Sequence, residues 1–165
     1  MQLAFARTRA LITAASLLAL VGCGHTELNC MERAMYFESN RSSRDGMVAV
    51  GSVVMNRVES GKYPHTVCGV VGQKKQFAPG VMRKKMDSRS APLIESAARS
   101  VLAGERHPLI ENAQFFHTYG YHADYNNIHY VLVTGGNAFY ERRKPALVTQ
   151  PTPPAPIEGI TPQSW

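Results

Sequence analysis

The strongest constraint on the fold is the apolar stretch GMVAVGSVVMNRV, residues 46–58. Its large apolar residues recur at steps of three and four, which is the spacing of one face of an α-helix: Met47, Val50, Val54 and Val58. Three more apolar side chains widen that face: Val48, Val53 and Met55. A helix with so broad an apolar surface is buried. We therefore predict a central helix around which a single domain packs.

A shorter helical pattern, residues 29–37, precedes this helix and is followed by an acidic residue, Glu38. The polar loop at 40–45 separates the two, with Ser43 or Asp45 as the N-cap of the central helix. Apolar neighbours and the negative end of a helix dipole both disfavour ionisation of the Glu38 carboxyl. Such a group is a candidate general acid, although a glutamate at a helix end is more often a surface residue.

The remaining segments predict an α+β fold, a helical core with a small β-hairpin lobe. Residues 66–77 contain a β-branched core that is either a strand or a buried turn. A helix is predicted at residues 91–103, closed by Gly104. The segment HYVLVTGGNAFY, residues 129–140, predicts a strand, a glycine turn and a second strand. We place this domain at residues 30–144.

The two ends of the chain have different compositions from the domain. Arg7 and Arg9 precede the apolar run ALITAASLLALV, which ends in small residues. This pattern is typical of a signal peptide at residues 1–22, with a buried core helix as the less favoured alternative. Residues 145–165 contain six of the ten prolines and are predicted to form a disordered, extended tail.

The sequence LVGC at residues 20–23 resembles a bacterial lipobox. The resemblance implies cleavage before Cys23, a lipid anchor on that cysteine and a short tether at residues 23–29. Because Gly24 follows the cysteine, it further implies an outer-membrane lipoprotein. Cys30 and Cys68 then remain, either as a disulfide in an oxidising compartment or as two free thiols.

The excess of basic side chains limits the kinds of molecule that the protein is expected to bind. Removal of residues 1–22 leaves 16 basic against 12 acidic side chains. A modestly basic exported protein suits a polyanionic partner such as peptidoglycan or an anionic membrane surface. Nucleic acid is not expected outside the cytoplasm.

Four blocks of sequence, in order along residues 30–140, carry a resemblance to a known family: CMERAMYFESN, DGMVAVGSVVMNRV, YPHTVCGVVGQKKQF and GGNAFY. They resemble the cell-wall hydrolase family typified by the spore cortex-lytic enzymes. The resemblance implies a lysozyme-like α+β domain that cleaves the MurNAc–GlcNAc bond of peptidoglycan, as a muramidase or a lytic transglycosylase. We expect no metal or other cofactor. The resemblance also implies that Glu38 is the catalytic general acid. The chain departs from the family pattern after Glu38, where Ser39-Asn40-Arg41-Ser42 replaces the usual Ala-Arg-Gly-Glu. It departs again in the last block, where the family's histidine is replaced and Asn137-Ala138 precedes Phe139-Tyr140.

Other residues of the matched blocks and of the aromatic-rich segment have two interpretations each. A glycan cleft would use side chains that stack on or hydrogen-bond to sugars, and the candidates are Tyr36, Gln76, Phe77, His117 and Tyr140. A tyrosine, however, is more often half-buried packing than a sugar contact. Asn56 and Arg57, at the end of the central helix, are more simply explained by buried hydrogen bonds. Residues 135–137 are first a tight turn.

Two rival functions are compatible with parts of the sequence. His117 and Asp124 have the spacing of half of a zinc peptidase site, but a third ligand and a base would be needed, and His129 is the last histidine. A tethered domain of this fold that binds glycan without cleaving it is the other alternative.

Overall fold

The computed structural model describes residues 25–87 and 89–162. Within them lie four α-helices, which are α1 (Glu27–Glu38), α2 (Arg44–Glu59), α3 (Val67–Val71) and α4 (Ala91–Leu102). Three strands follow, β1 (Phe115–Thr118), β2 (Ile128–Thr134) and β3 (Asn137–Arg142), and then a 3-10 turn at Pro145–Leu147. The chain is thus α+β. The predicted signal peptide and Cys23 lie outside the described residues, and no described helix is long and apolar enough to cross a membrane.

The predicted central helix is α2, slightly longer at both ends than residues 46–58. Most of its apolar stripe is buried against α1, α3 and α4, with Met47, Val50 and Val54 at 0% exposure. Near the C-terminal end of the helix, Met55 and Val58 are partly buried. The Ser43 hydroxyl caps the helix by accepting the N–H of Gly46 at 2.9 Å. Inside the helix, Ser52 donates to the Val48 carbonyl at 2.7 Å and accepts from the His107 N–H at 3.0 Å. The buried Ser52 hydroxyl therefore has both a donor and an acceptor partner.

Helix α1 ends at Glu38, since the backbone of the next residue, Ser39, is extended. The N–H and hydroxyl of Ser39 both donate to the Met35 carbonyl, at 3.2 and 2.7 Å. The side-chain amide of Asn137 donates to the Glu38 carbonyl at 2.6 Å. Carbonyls at a helix C-terminus have no intrahelical partner, so these contacts fix the position of the last turn.

Residues 67–71 form α3, and neither the strand nor the buried turn predicted there is present. Thr66 caps this short helix by accepting the Gly69 N–H at 3.0 Å. The Glu27 carboxylate accepts the Val67 N–H at 2.6 Å. The β-branched residues thus fold as a helix because the adjacent Thr66 and the distant Glu27 satisfy its first N–H groups.

The predicted disulfide is present and joins Cys30 of α1 to Cys68 of α3, with a Cα–Cα distance of 5.1 Å. It closes a loop of 38 residues. In the chain-entropy treatment a loop of this length stabilises a fold by about 3–4 kcal/mol. The bond therefore fastens the short helix α3 to the helix that ends at Glu38.

The sheet is antiparallel with strand order β1-β3-β2. The predicted β2–β3 hairpin is confirmed, and β3 pairs on its other side with β1, with Phe116 opposite Phe139. The strand β1 was not predicted, because FFHT is four residues long and has no alternation to identify it. Leu132 and Phe139 face the helical core, whereas Tyr130 and Tyr140 belong to a second apolar cluster on the sheet.

The prediction of a disordered tail is wrong for the described residues up to 162. The backbone follows the edge strand β2, where the Tyr130 N–H donates to the Gln150 carbonyl at 2.9 Å and the Ile157 N–H donates to the Val133 carbonyl at 3.0 Å. It then reaches the start of α2, where the N–H groups of Ile160 and Thr161 each donate to the Asp45 carboxylate at 2.9 Å. A proline-rich chain cannot form a regular strand, but its few N–H groups are enough to pair with an exposed sheet edge. We call residues 148–162 the C-terminal segment.

Candidate active site

A cleft of about 490 Å³ opens between the end of α1, the end of α2 and the sheet. Its lining consists of Phe37, Glu38, Arg57, Gln76, Phe116, His117, Thr118, Tyr121 and Asn137. These residues come from positions far apart in the sequence, and the packing of α1 and α2 against the sheet brings them together. The cleft is mixed in character, with aromatic rings beside a carboxyl, a guanidinium and two amides.

Glu38 lies half-buried in this cleft at the last residue of α1. Burial raises the pKa of its carboxyl, and a hydrogen bond from the Ala78 N–H and the positive charge of Arg57 offset only part of this effect. The proton is therefore retained to a higher pH than in an ordinary glutamate. The Ala78 N–H donates to the carboxylate oxygen of Glu38, and the Asn137 amide donates to its backbone carbonyl, so both the side chain and the backbone of Glu38 are held.

Arg57 supplies the positive charge of the cleft. Only 3% of this residue is exposed, and its Nε donates to the Gln114 carbonyl at 2.8 Å. The guanidinium lies 5.2 Å from the ring centre of Tyr63 and 5.4 Å from that of Phe77. These rings hold the cation where its charge acts on the Glu38 carboxyl. The two side chains do not form a direct ion pair.

The predicted hydrogen-bonding role of the α2 terminus is confirmed. The Asn56 amide donates to the carbonyls of Ala113 and Glu111, at 2.9 and 3.1 Å. With the contact from Arg57 to Gln114, these bonds attach the segment before β1 to the end of α2. The position of β1 beside the cleft depends on them.

Two of the predicted sugar-contacting residues, Gln76 and His117, line the cleft. Gln76 is exposed on the loop that also provides Ala78. His117 is more constrained, since its Nε2 lies 2.8 Å from the Tyr130 hydroxyl and its Nδ1 lies 3.0 Å from the Thr118 carbonyl.

Three other candidates lie elsewhere. Phe77 is 8% exposed beneath Arg57, and Tyr140 is 9% exposed and stacks on Phe115 with ring centres 5.5 Å apart. Both rings form part of the packing under the cleft rather than its wall, so we do not propose them as sugar contacts. Tyr36 borders a neighbouring groove, and its hydroxyl donates to Asp87 at 2.8 Å.

Some cleft residues were not singled out by sequence reasoning. Asn137 was interpreted only as part of a turn, yet its amide holds the Glu38 carbonyl and borders the cleft. Tyr121, which the sequence does not distinguish from the neighbouring tyrosines, is 62% exposed at the cleft rim. The sequence signal for Asn137 is the glycine pair before it, since a tight turn directs the following side chain into a defined position.

The residues proposed for a zinc half-site do not assemble into one. Among the described residues there is no group of three histidine, cysteine or acidic side chains arranged to hold a metal. Asp124 is exposed and pairs with His122 at 3.3 Å. His129 accepts N–H groups of the C-terminal segment at its Nδ1, from Gln150 at 3.2 Å and from Thr149 at 3.3 Å.

Comparison with known proteins gives relatives of one kind. Spore cortex-lytic enzymes of Bacillus cereus and Oceanobacillus iheyensis are 38% and 34% identical over 56 residues. That stretch is 34% of this chain and 22% and 20% of the two relatives, so the match spans about a fifth of their length.

Two solved structures are similar to this fold. The catalytic domain of the germination-specific lytic transglycosylase SleB from Bacillus anthracis is 25% identical with a TM-score of 0.58, covering 73% of this chain and 100% of that domain. The catalytic domain of the Bacillus cereus SleB protein is 24% identical with the same TM-score, covering 73% and 95%. The likeness confirms the predicted lysozyme-like α+β fold.

The Cell Wall Hydrolase family model matches residues 41–140. The matched segment includes helices α2 to α4, strands β1 and β2 and most of β3, and it begins three residues after Glu38. It accounts for more than half of the chain. The protein therefore belongs to the Cell Wall Hydrolase family.

Proposed function

We propose that this protein is a peptidoglycan glycosidase that cleaves the MurNAc–GlcNAc bond with Glu38 as its general acid and base. The observation that carries the proposal is the half-buried Glu38 carboxyl in the cleft, with its pKa raised by burial. Family membership and the lytic transglycosylase activity named for the similar Bacillus anthracis domain support the same reaction class.

In the proposed reaction the protonated Glu38 transfers its proton to the glycosidic oxygen as the bond to C1 breaks. Positive charge develops at C1 and its ring oxygen, and Glu38 becomes a carboxylate. The nearby Arg57 cation stabilises this carboxylate. Glu38 then accepts the proton of the C6 hydroxyl while that oxygen bonds to C1, which gives a 1,6-anhydro sugar and restores the acid.

A muramidase would use water in the second step and would release a reducing end. Among the described residues that line the cleft, Glu38 is the only carboxylate. Asp45 is bonded to the C-terminal segment, and Asp124 is exposed beside His122. A mechanism with two carboxylates needs a second one facing the sugar, so we favour the lytic transglycosylase.

We also propose an extracytoplasmic location, where peptidoglycan is found. The disulfide between Cys30 and Cys68 suits an oxidising compartment. The predicted lipid anchor on Cys23, and through it the outer membrane, would keep the domain beside its polymer.

The test is digestion of purified peptidoglycan by residues 24–165, with the released fragments identified by mass spectrometry. Glu38→Gln should lower the rate about 10²- to 10⁴-fold, the usual contribution of a general acid. Glu32→Gln is the matched control, because Glu32 lies on the same helix, also has a pKa raised by burial, and does not line the cleft.

Products ending in 1,6-anhydroMurNAc, lost only in Glu38→Gln, would establish the transglycosylase. Reducing ends would show a muramidase. Equal activity of Glu38→Gln and the wild type would refute the role of Glu38. Binding to peptidoglycan without release of fragments would favour the non-catalytic alternative.

A further inference from the structure

A second groove, about 500 Å³, lies beside the Glu38 cleft and shares the ring of Phe37 with it. We call it the basic groove, and its lining is Tyr36, Phe37, Ser39, Arg41, Lys84 and Lys85. Arg41 also borders a third depression, which extends to Arg89. A continuous surface therefore runs from the candidate acid past Phe37 to a row of basic side chains.

The backbone of this groove is held firmly to α1. The Arg33 guanidinium donates to the carbonyls of Val81 and Lys84, at 2.8 and 2.9 Å. At the far end of the same loop, the Asp87 carboxylate accepts the Tyr36 hydroxyl at 2.8 Å. Since the Ala78 N–H donates to the Glu38 carboxylate, hydrogen bonds join this loop to α1 at several points. The backbone positions of Lys84 and Lys85 are thus fixed relative to the candidate acid.

The groove has an excess of positive charge. Arg41, Lys84 and Lys85 are exposed along it. The ammonium groups of the two lysines make no hydrogen bond or ion pair with the described residues. No carboxylate lines the part of the groove that the structure describes. Asp87, at the end of the same loop, is already engaged by the Tyr36 hydroxyl, by the Arg89 N–H at 3.0 Å and by Arg41 at 3.6 Å.

We infer that the basic groove binds the carboxylates of the peptide stem carried by MurNAc. This inference rests on the proposed function. The stem branches from the lactyl group of MurNAc, one of the two sugars at the bond that is cleaved, so it must leave the cleft close to Glu38. The groove begins at that point, with Phe37 as the common wall. Stem carboxylates then meet the lysine ammonium groups and the Arg41 guanidinium.

The inference specifies the substrate class, which is glycan that retains its stem peptides rather than glycan stripped of them. It also gives a role to the sequence after Glu38, where Arg41 lies in the segment that departs from the family pattern. Because the contacts are exposed, salt should weaken them.

The test compares intact peptidoglycan with glycan strands from which an amidase has removed the stems. The triple variant Arg41→Gln, Lys84→Gln, Lys85→Gln should raise KM for intact peptidoglycan about tenfold, the summed effect expected of three exposed charge contacts. It should leave kcat, and both constants on bare glycan, close to wild type. Because Arg41 also contacts Tyr36, the double variant Lys84→Gln, Lys85→Gln serves as the version without that structural contact and should show part of the same effect.

The control removes three exposed cations from outside the groove, with Lys62→Gln, Lys74→Gln and Lys144→Gln. If it raises KM as much as the groove variant does, general charge attraction explains binding and the inference is wrong. Equal losses on intact and bare glycan would also overturn it. Co-sedimentation with intact and stripped peptidoglycan is measured in parallel. If the wild type cleaves neither polymer, the proposed function fails, and weaker sedimentation of the groove variant with the intact polymer alone still supports the groove.

Discussion

At the scale of single residues, the burial that suits Glu38 to its proposed role as general acid also lowers the stability of the fold when the carboxyl is ionised. Partial burial raises the pKa of its carboxyl, which keeps the proton available for transfer. The same burial means that the ionised form favours the unfolded chain. The folded pKa lies above the unfolded one, so this contribution to stability is complete below the unfolded pKa and is lost as pH rises through the folded pKa.

We expect Glu38→Gln to be more stable than the wild type at neutral and alkaline pH. Glutamine keeps an oxygen that can accept the Ala78 N–H but has no proton to lose. The Tm difference between variant and wild type should grow as pH rises from about 4 to 8 and should nearly vanish at the acid end, near the ordinary glutamate pKa. Thermal unfolding followed by circular dichroism over this range measures it, and a difference that does not change with pH would contradict the argument.

At the scale of elements, the first turn of α2 and the turn between β2 and β3 touch backbone to backbone. A Cβ added to Gly135 would lie 2.4 Å from the Gly46 Cα, and one added to Gly46 would lie 2.5 Å from the Gly135 Cα. The Gly135 carbonyl also accepts the Asn40 N–H at 3.1 Å. Asn137 in the same hairpin donates to the Glu38 carbonyl. The contact between the two glycines therefore helps to position the hairpin relative to the end of α1.

Gly135→Ala and Gly136→Ala form a matched pair. Both positions have positive φ, 57° and 82°, so each substitution should cost about 1–2 kcal/mol in backbone strain. Only Gly135→Ala adds a clash, because space is open around Gly136. We expect Gly135→Ala to lower the free energy of unfolding by clearly more than Gly136→Ala and to lower activity as well. Urea denaturation and digestion rates test this, and equal losses in the two variants would rule out the close approach as the cause.

At the scale of the whole molecule, the C-terminal segment joins the sheet to the start of α2. Glu158 accepts the Gly135 N–H at 2.6 Å and the Ser43 hydroxyl. Asp45 is 2% exposed and accepts hydrogen bonds from Ile160 and Thr161. Burial alone would raise the pKa of Asp45, but these bonds outweigh it and the pKa lies below its usual value. The segment thereby braces the hairpin and the helix that border the cleft.

Deletion of residues 157–165 should destabilise the protein, and deletion of residues 163–165 alone is the control that keeps these contacts. Loss of the hydrogen bonds to two carboxylates should cost about 3 kcal/mol or more, or roughly 6–12 °C in Tm for a chain of this size. Since the Asp45 pKa is depressed, its contribution is present above the unfolded pKa and is lost as pH falls through the folded one. The Tm difference between the two deletions should therefore shrink in acid. No difference at neutral pH would show that the segment does not brace the fold.

Local pattern in the sequence determined the elements whose signals are local. The spacing of apolar residues gave α2, Ser43 was one of two predicted caps, and the glycine pair gave the β2–β3 hairpin. The placement of Glu38 at the end of α1 follows in the same way, because helix periodicity and termination depend on adjacent residues.

Only the tertiary structure decided which residues share the cleft and which lie under it. Arg57 and Asn137 meet Glu38 because α1, α2 and the sheet pack together, whereas Phe77 and Tyr140 are covered by the same packing. The C-terminal segment is ordered because its few N–H groups find partners on β2 and Asp45, distant in sequence. Such contacts depend on pairing across the chain, which composition and local periodicity do not encode.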